Sequence, residues 1–146
     1  MSLLVLTGVT GQNRQYPLDR LADFIRKNQP DCSLPEHKIK HHLVTILEKG
    51  SGFERFILLS LNEDRQLVGI LAMNRPDGIQ QSRIDYFATT DQATEDTREN
   101  LLANALKITR GNVQVSAPLI RNDRHLLTKR GYHYQDQQKL ILRTGG

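Results

Sequence analysis

A chain of 146 residues with 38% hydrophobic and 25% charged side chains is long enough for one domain around one core, and its longest apolar runs, 56–59 and 67–73, are too short to cross a membrane. A single cysteine, Cys32, excludes an internal disulfide, and no basic leader with a cleavage site is visible, so the expected setting is the reducing cytoplasm. The net charge of +4 is uneven: residues 1–97 hold 11 Lys/Arg against 13 Asp/Glu, and residues 98–146 hold 9 against 3, which makes the last third the part suited to an anionic partner.

In chain order, residues 3–9 are apolar and β-branched and predict a strand. Gly8, Gly11, Asn13 and Pro17 then mark a loop. From Pro17, apolar residues at Leu18, Leu21, Ala22 and Ile25 have helix spacing, ended by Asn28, Pro30 and Asp31. A second helix is predicted from Pro35 to Gly50, with Ile39, Leu43, Ile46 and Leu47 on one face. Residues 56–61 and 66–73 predict two strands joined by a hairpin at 62–65, with Gly69 weakening the second or marking a bulge. A fourth strand is expected over 83–90, then the loop 91–96 and a helix over 98–108. A short strand over 113–116, a helix over 120–130 capped by Gly131 and two short strands over 132–134 and 139–142 complete the chain. The order β-α-α-β-β-β-α-β-α-β-β predicts an α/β domain spanning 1–146, a mixed sheet with helices on both faces. No internal repeat or low-complexity tract interrupts it.

This order, with four local features, resembles the GCN5-related N-acetyltransferase family over nearly the whole chain. The features are the apolar pair 56–61 and 66–72, the latter containing Leu67-Val68-Gly69; the strand Ile84-Asp85-Tyr86-Phe87-Ala88-Thr89-Thr90 running into a polar loop and a helix; the late strand Val113-Gln114-Val115-Ser116 followed by Asn122; and Lys129-Arg130-Gly131-Tyr132 at a helix end. The resemblance implies an acyltransferase that moves an acetyl group from acetyl-CoA to a small-molecule or protein amine by direct attack. It implies that the cofactor lies against Phe87, Ala88 and Thr89, with Gln92, Thr97 and Arg98 around its phosphates and Asn122 as the family's cofactor-side asparagine. Asp85 is the implied general base, and Tyr132 or Tyr134 would replace the family's usual tyrosine acid, whose position here is Leu127.

The phosphate loop departs from the family pattern Gln/Arg-x-x-Gly-x-Gly/Ala. Gln92 matches, but Glu95 and Thr97 stand where glycines would let a phosphate approach the backbone. Unit charges about 4 Å apart repel by roughly 1 kcal/mol in water and about 4 kcal/mol at an effective dielectric near 20, so Glu95 and Asp96 oppose a diphosphate. The same acids suit a helix start, with Asp96-x-x-Glu99 predicting a capping box. Two readings therefore stand: an active transferase, or a domain of the same fold that binds a ligand or partner without chemistry.

Other constellations carry less. Gly8-x-x-Gly11 lacks the third glycine, at Arg14, and the βαβ context of a dinucleotide fingerprint. His37, His41 and His42 share one predicted helix but lack the Glu of a metal-binding His-Glu-x-x-His pattern, so no metal is expected. Cys32 reads as part of a turn between helices. Arg121, Arg124, Lys129 and Arg130 are a basic group, but with no Trp and 5% aromatics a base-stacking surface is poorly supplied, and nucleic acid is not the expected partner. Neither is a membrane. If the chain self-associates, a homodimer is the commonest arrangement.

Overall fold

A computed structural model describes residues 2–7, 16–29, 32–48, 55–75, 82–91, 93–109, 111–115, 125, 132–136 and 139–144, the late strands mainly as backbone. Its elements run β1 (Ser2–Leu6), α1 (Leu18–Asn28), α2 (Glu36–Glu48), β2 (Phe56–Leu61), β3 (Leu67–Asn74), β4 (Ser82–Thr89), α3 (Glu95–Ile108), β5 (Gly111–Val115), β6 (Tyr132–Asp136) and β7 (Lys139–Thr144). The predicted helix over 120–130 lies outside the described residues, apart from His125.

The strands form one seven-stranded sheet in the order β1-β2-β3-β4-β5-β7-β6. The first four are antiparallel neighbours, and β5 joins β4 in parallel. A tight turn joins β2 to β3. In the β2–β3 turn, Asn62 Oδ1 accepts from the N–H groups of Asp64 and Gln66 at 2.9 Å each. Arg65 takes a left-handed φ of 60°, and its carbonyl accepts from the Tyr16 hydroxyl at 2.5 Å.

Each face of the sheet has its own core. On one face, Leu21, Ala22 and Ile25 of α1 and Ile39, Leu43, Ile46 and Leu47 of α2 pack on Ile57, Leu59, Ile70, Ala72, Tyr86 and Ala88. On the other, Leu101, Leu102 and Ala105 of α3 pack on Phe56, Leu58, Leu71, Met73, Ile84 and Phe87. The period-2 alternation of β2 explains both: Ile57 and Leu59 serve one core, Phe56 and Leu58 the other, and every residue of that strand is buried. Each fully buried Leu, Ile or Phe contributes about 1.5–3 kcal/mol by leaving water.

Gly69 adjoins the bulge that was one of its two expected roles. The β2–β3 register passes from Ser60↔Gly69 to Leu61↔Leu67, so the irregularity falls at Val68, beside the glycine. A Cβ on Gly69 would also lie 2.6 Å from Leu101 Cδ1 and 3.2 Å from Thr89 Cγ2, so the missing side chain lets α3 dock closely.

The start of α3 corrects the predicted cap. Thr94, not Asp96, is the N-cap, and its side chain accepts from the Thr97 N–H. The helix begins earlier than expected, placing Glu95 and Asp96 inside its first turn, where carboxylates favour the positive end of the helix dipole. The Thr94→Ala variant is expected to lose about 1 kcal/mol of stability and to melt a few degrees lower in a calorimetric scan.

Candidate active site

The site is built around β4. Opposite β3, the register steps from Ala72↔Tyr86 to Met73↔Ile84, leaving Asp85 as an extra residue in a bulge. Ile84 and Phe87 both belong to the α3-side core, while Tyr86 and Ala88 belong to the other. The bulge therefore resets the alternation and lets two consecutive side chains, Asp85 and Tyr86, line the same cavity. This cavity of about 510 Å³ lies between β4, the ends of α1 and β3, and α2, and it also takes in Gln29, Cys32, His41, His42 and Thr45.

Two polar pairs line the cavity. Arg83 Nε donates to Asp85 Oδ1 at 2.5 Å; the carboxylate side chain is 13% exposed and the guanidinium side chain 44%. The Tyr86 hydroxyl and His42 Nδ1 are 2.6 Å apart, with the rings inclined by only 27°. Burial, and then the neighbouring charge of Asp85, push the Tyr86 phenol well above its ordinary range. It stays protonated at neutral pH, and with the imidazole proton on Nε2 it donates to His42 Nδ1.

The second half of β4 turns part of its backbone away from β3. The Thr90 N–H donates to the Val68 carbonyl, so the hydrogen-bonded pairs of β3 and β4 are Ile70/Ala88 and Ala72/Tyr86. Phe87 and Thr89, opposite Leu71 and Gly69, turn their backbone groups away from β3. On that side, among the described residues, β5 meets β4 only at Ser82 and Arg83.

Arg98, in the first turns of α3, lies at this edge: its guanidinium donates to Thr89 Oγ1 at 2.9 Å and stands 4.2 Å from the centre of the Phe87 ring. The Thr97 N–H meets Thr94 Oγ1 at 3.3 Å. Glu95 is engaged by the imidazole of His125. Of the residues singled out in the sequence, Phe87, Thr89, Thr97 and Arg98 gather around the end of β4 and the start of α3. Ala88 is buried in the core on the opposite face of the strand. Gln92 and Asn122 lie outside the described residues, as do Leu127 and the four basic residues of the late segment. Tyr132 is described by its backbone, which opens β6 opposite Leu142, with β5 and β7 between that strand and β4.

Sequence reasoning passed over Gln29, Tyr86 and the His42 contact. Alternation alone would have put Asp85 and Tyr86 on opposite faces, and only the bulge overturns it. His42 looked like one of three histidines on a solvated helix; a tyrosine facing that helix was the missing signal. Cys32 does lie between the helices as expected, and it also borders the cavity. Among the described residues, no group of three or more His, Cys, Asp or Glu side chains is arranged to hold a metal ion, and no helix is long and apolar enough to cross a membrane.

No protein-family model matches the chain, and no curated protein matches it in sequence. Solved structures do match over nearly full length. The GCN5 protein of Tetrahymena superposes with a TM-score of 0.67 at 11% identity, covering 99% of this chain and 97% of that one. A GNAT-family acetyltransferase of Staphylococcus aureus Mu50 gives 0.67 at 12%, covering 97% and 99%. YncA of Salmonella typhimurium, solved with its cofactor acetyl-CoA, gives 0.66 at 6%, covering 100% and 96%. With the meander, the parallel pairing of β4 and β5 and the helices on both faces, these similarities lead to one conclusion: the chain has the GCN5-related N-acetyltransferase fold.

Proposed function

We propose that this chain moves an acetyl group from acetyl-CoA to an amine by direct transfer. The observation that carries the reading is the pair of sites on one strand: a backbone edge at Phe87 and Thr89 that has no strand partner among the described residues and, beside it, a cavity holding the bulged Asp85. A strand edge of this kind is suited to the amide-bearing arm of coenzyme A. The fit is weaker at the phosphate end, where Glu95 and Asp96 occupy the first turn of α3. Arg98 supplies a cation in the same turns, and Glu95 is engaged by the imidazole of His125. Phe87, Thr89 and Arg98 would hold the cofactor, Thr97 would support the helix start, and Gln92 and Asn122 are proposed contacts on the resemblance alone. Bound there, acetyl-CoA supplies an activated thioester.

The chain's own residues do the rest. The cavity fixes the acceptor amine against β4, a gain from positioning. Asp85 takes the proton that the acceptor nitrogen loses, through its carboxylate oxygen or a water on it. The Tyr86–His42 pair orients that wall of the cavity. Tyr132 remains the proposed donor of a proton to the leaving sulfur, as a substitute for the family's tyrosine, whose position here is Leu127. Spermidine and aminoglycoside acetyltransferases are among the proteins of similar fold, so polyamines and aminoglycosides are the first amines to test.

Acetyl-CoA at about 100 times its dissociation constant is expected to stabilise the chain by roughly 2.7 kcal/mol, read as a rise in melting temperature. The Arg98→Glu variant is expected to weaken that binding at least tenfold, reversing a charge beside the diphosphate. An unshifted melting temperature with millimolar acetyl-CoA would favour the second reading, a ligand- or partner-binding domain without chemistry. The acids in the first turn of α3 are the observation behind that alternative.

A further inference from the structure

Gln29 links the two halves of the site. It caps the C-terminal end of α1, where its own N–H closes the helix on the Ile25 carbonyl at 2.8 Å. Its side chain crosses to the sheet, where Oε1 accepts from the Phe87 N–H at 2.8 Å. That N–H belongs to the edge of β4 turned away from β3, where a neighbouring strand would otherwise provide a carbonyl. The carboxamide thus makes one rung of a ladder that the described part of β5 does not continue. The same residue borders the cavity that holds Asp85 and Tyr86.

We propose that Gln29 is a displaceable latch on the β4 edge. Its carboxamide satisfies the Phe87 amide until an amide-bearing ligand adds to the strand and takes over that hydrogen bond. The released side chain then reorganises the wall of the neighbouring cavity, so occupation of the edge is signalled to the place where an amine would enter. Such an exchange costs little, because one amide carbonyl replaces another at the same donor. A ligand segment without a carbonyl at that register would leave a buried N–H unpaired, so the latch also selects for amide-containing arms. The involvement of acetyl-CoA rests on the function proposed above; the latch itself does not.

Backbone amide exchange followed by NMR separates the two. In Gln29→Met, which keeps length and loses the acceptor, the Phe87 amide is expected to exchange about tenfold faster. The amides of Ile70 and Ala88, paired within the β3–β4 ladder, should keep their rates. Gln29→Glu keeps an acceptor oxygen and is expected to restore most of the protection, which a general loosening of the fold would not allow. Unchanged Phe87 exchange in Gln29→Met would overturn the latch. Calorimetric titration with acetyl-CoA then tests displacement: removal of the competing carboxamide is expected to tighten binding severalfold in Gln29→Met, with Phe87 protected again in the complex. Equal or weaker binding would overturn displacement. If neither chain binds acetyl-CoA, the cofactor reading falls and displacement by acetyl-CoA falls with it, while the exchange rates still decide the latch.

Discussion

The Asp85→Asn variant is expected to lower the turnover number of acetyl transfer by about 10²–10⁴-fold, the range typical for removing a positioned general base. Asparagine has nearly the same shape, and its amide oxygen can still accept from Arg83 Nε, so the local contact of the wild-type chain is preserved. What disappears is the capacity to take a proton. The loss should fall on turnover and leave acetyl-CoA affinity within a factor of two or three, roughly, because the carboxylate borders the acceptor cavity and the proposed cofactor edge lies at Phe87 and Thr89. His42→Ala is the informative companion. Tyr86 is buried and its phenol is held protonated, so breaking its contact with His42 loosens one wall of the cavity. That change should raise the Michaelis constant for the amine more than it lowers turnover. If Asp85→Asn keeps near-normal turnover while His42→Ala abolishes it, the proton leaves through Tyr86 and His42, and the assignment of Asp85 is wrong.

Much of the architecture was readable because most elements are strongly patterned. The spacing of Leu18, Leu21, Ala22 and Ile25 gives one buried stripe, and the four apolar positions of the second helix all reach the core. The hairpin at 62–65 was legible from its polar tetrad, since Asn62 makes the side-chain bonds that such turns require. The site was harder, because its decisive contacts join residues far apart in the chain. Gln29 meets Phe87 across 58 positions, and His42 meets Tyr86 across 44. No local pattern encodes either pairing. The bulge at Asp85 shows only in the register of β4 against β3, and the residues 84–87 read as ordinary strand. The cap of α3 was misplaced for a smaller reason: Asp96 and Glu99 have capping-box spacing, but Thr94 provides a cap two residues earlier, and both patterns are legal in the sequence.

Gly69→Ala is expected to destabilise the chain by about 1–3 kcal/mol, the usual cost of forcing one carbon into a packed core. The added methyl group would press on Leu101 Cδ1, 2.6 Å away, and on Thr89 Cγ2 at 3.2 Å. Leu101 is fully buried, so its side chain has little room to turn aside, and α3 must lift from the sheet instead. Leu101→Ala alone is expected to cost more, about 2–5 kcal/mol, by leaving a cavity. The double variant should be more stable than the sum of the single changes predicts, by at least about 0.5 kcal/mol, because the smaller side chain admits the new methyl group. Chemical denaturation of the four chains measures this coupling, and strict additivity would mean that the glycine is not there to seat α3. The same displacement reaches the site. α3 carries Thr97 and Arg98, Arg98 bonds Thr89, and Thr89 is the other neighbour of the added methyl group. Gly69→Ala is therefore expected to weaken acetyl-CoA binding although position 69 lies beneath the site, and Leu101→Ala in the same chain is expected to recover part of that affinity. A loss of affinity that the second substitution does not relieve would place the cause at Thr89 rather than in the seating of α3.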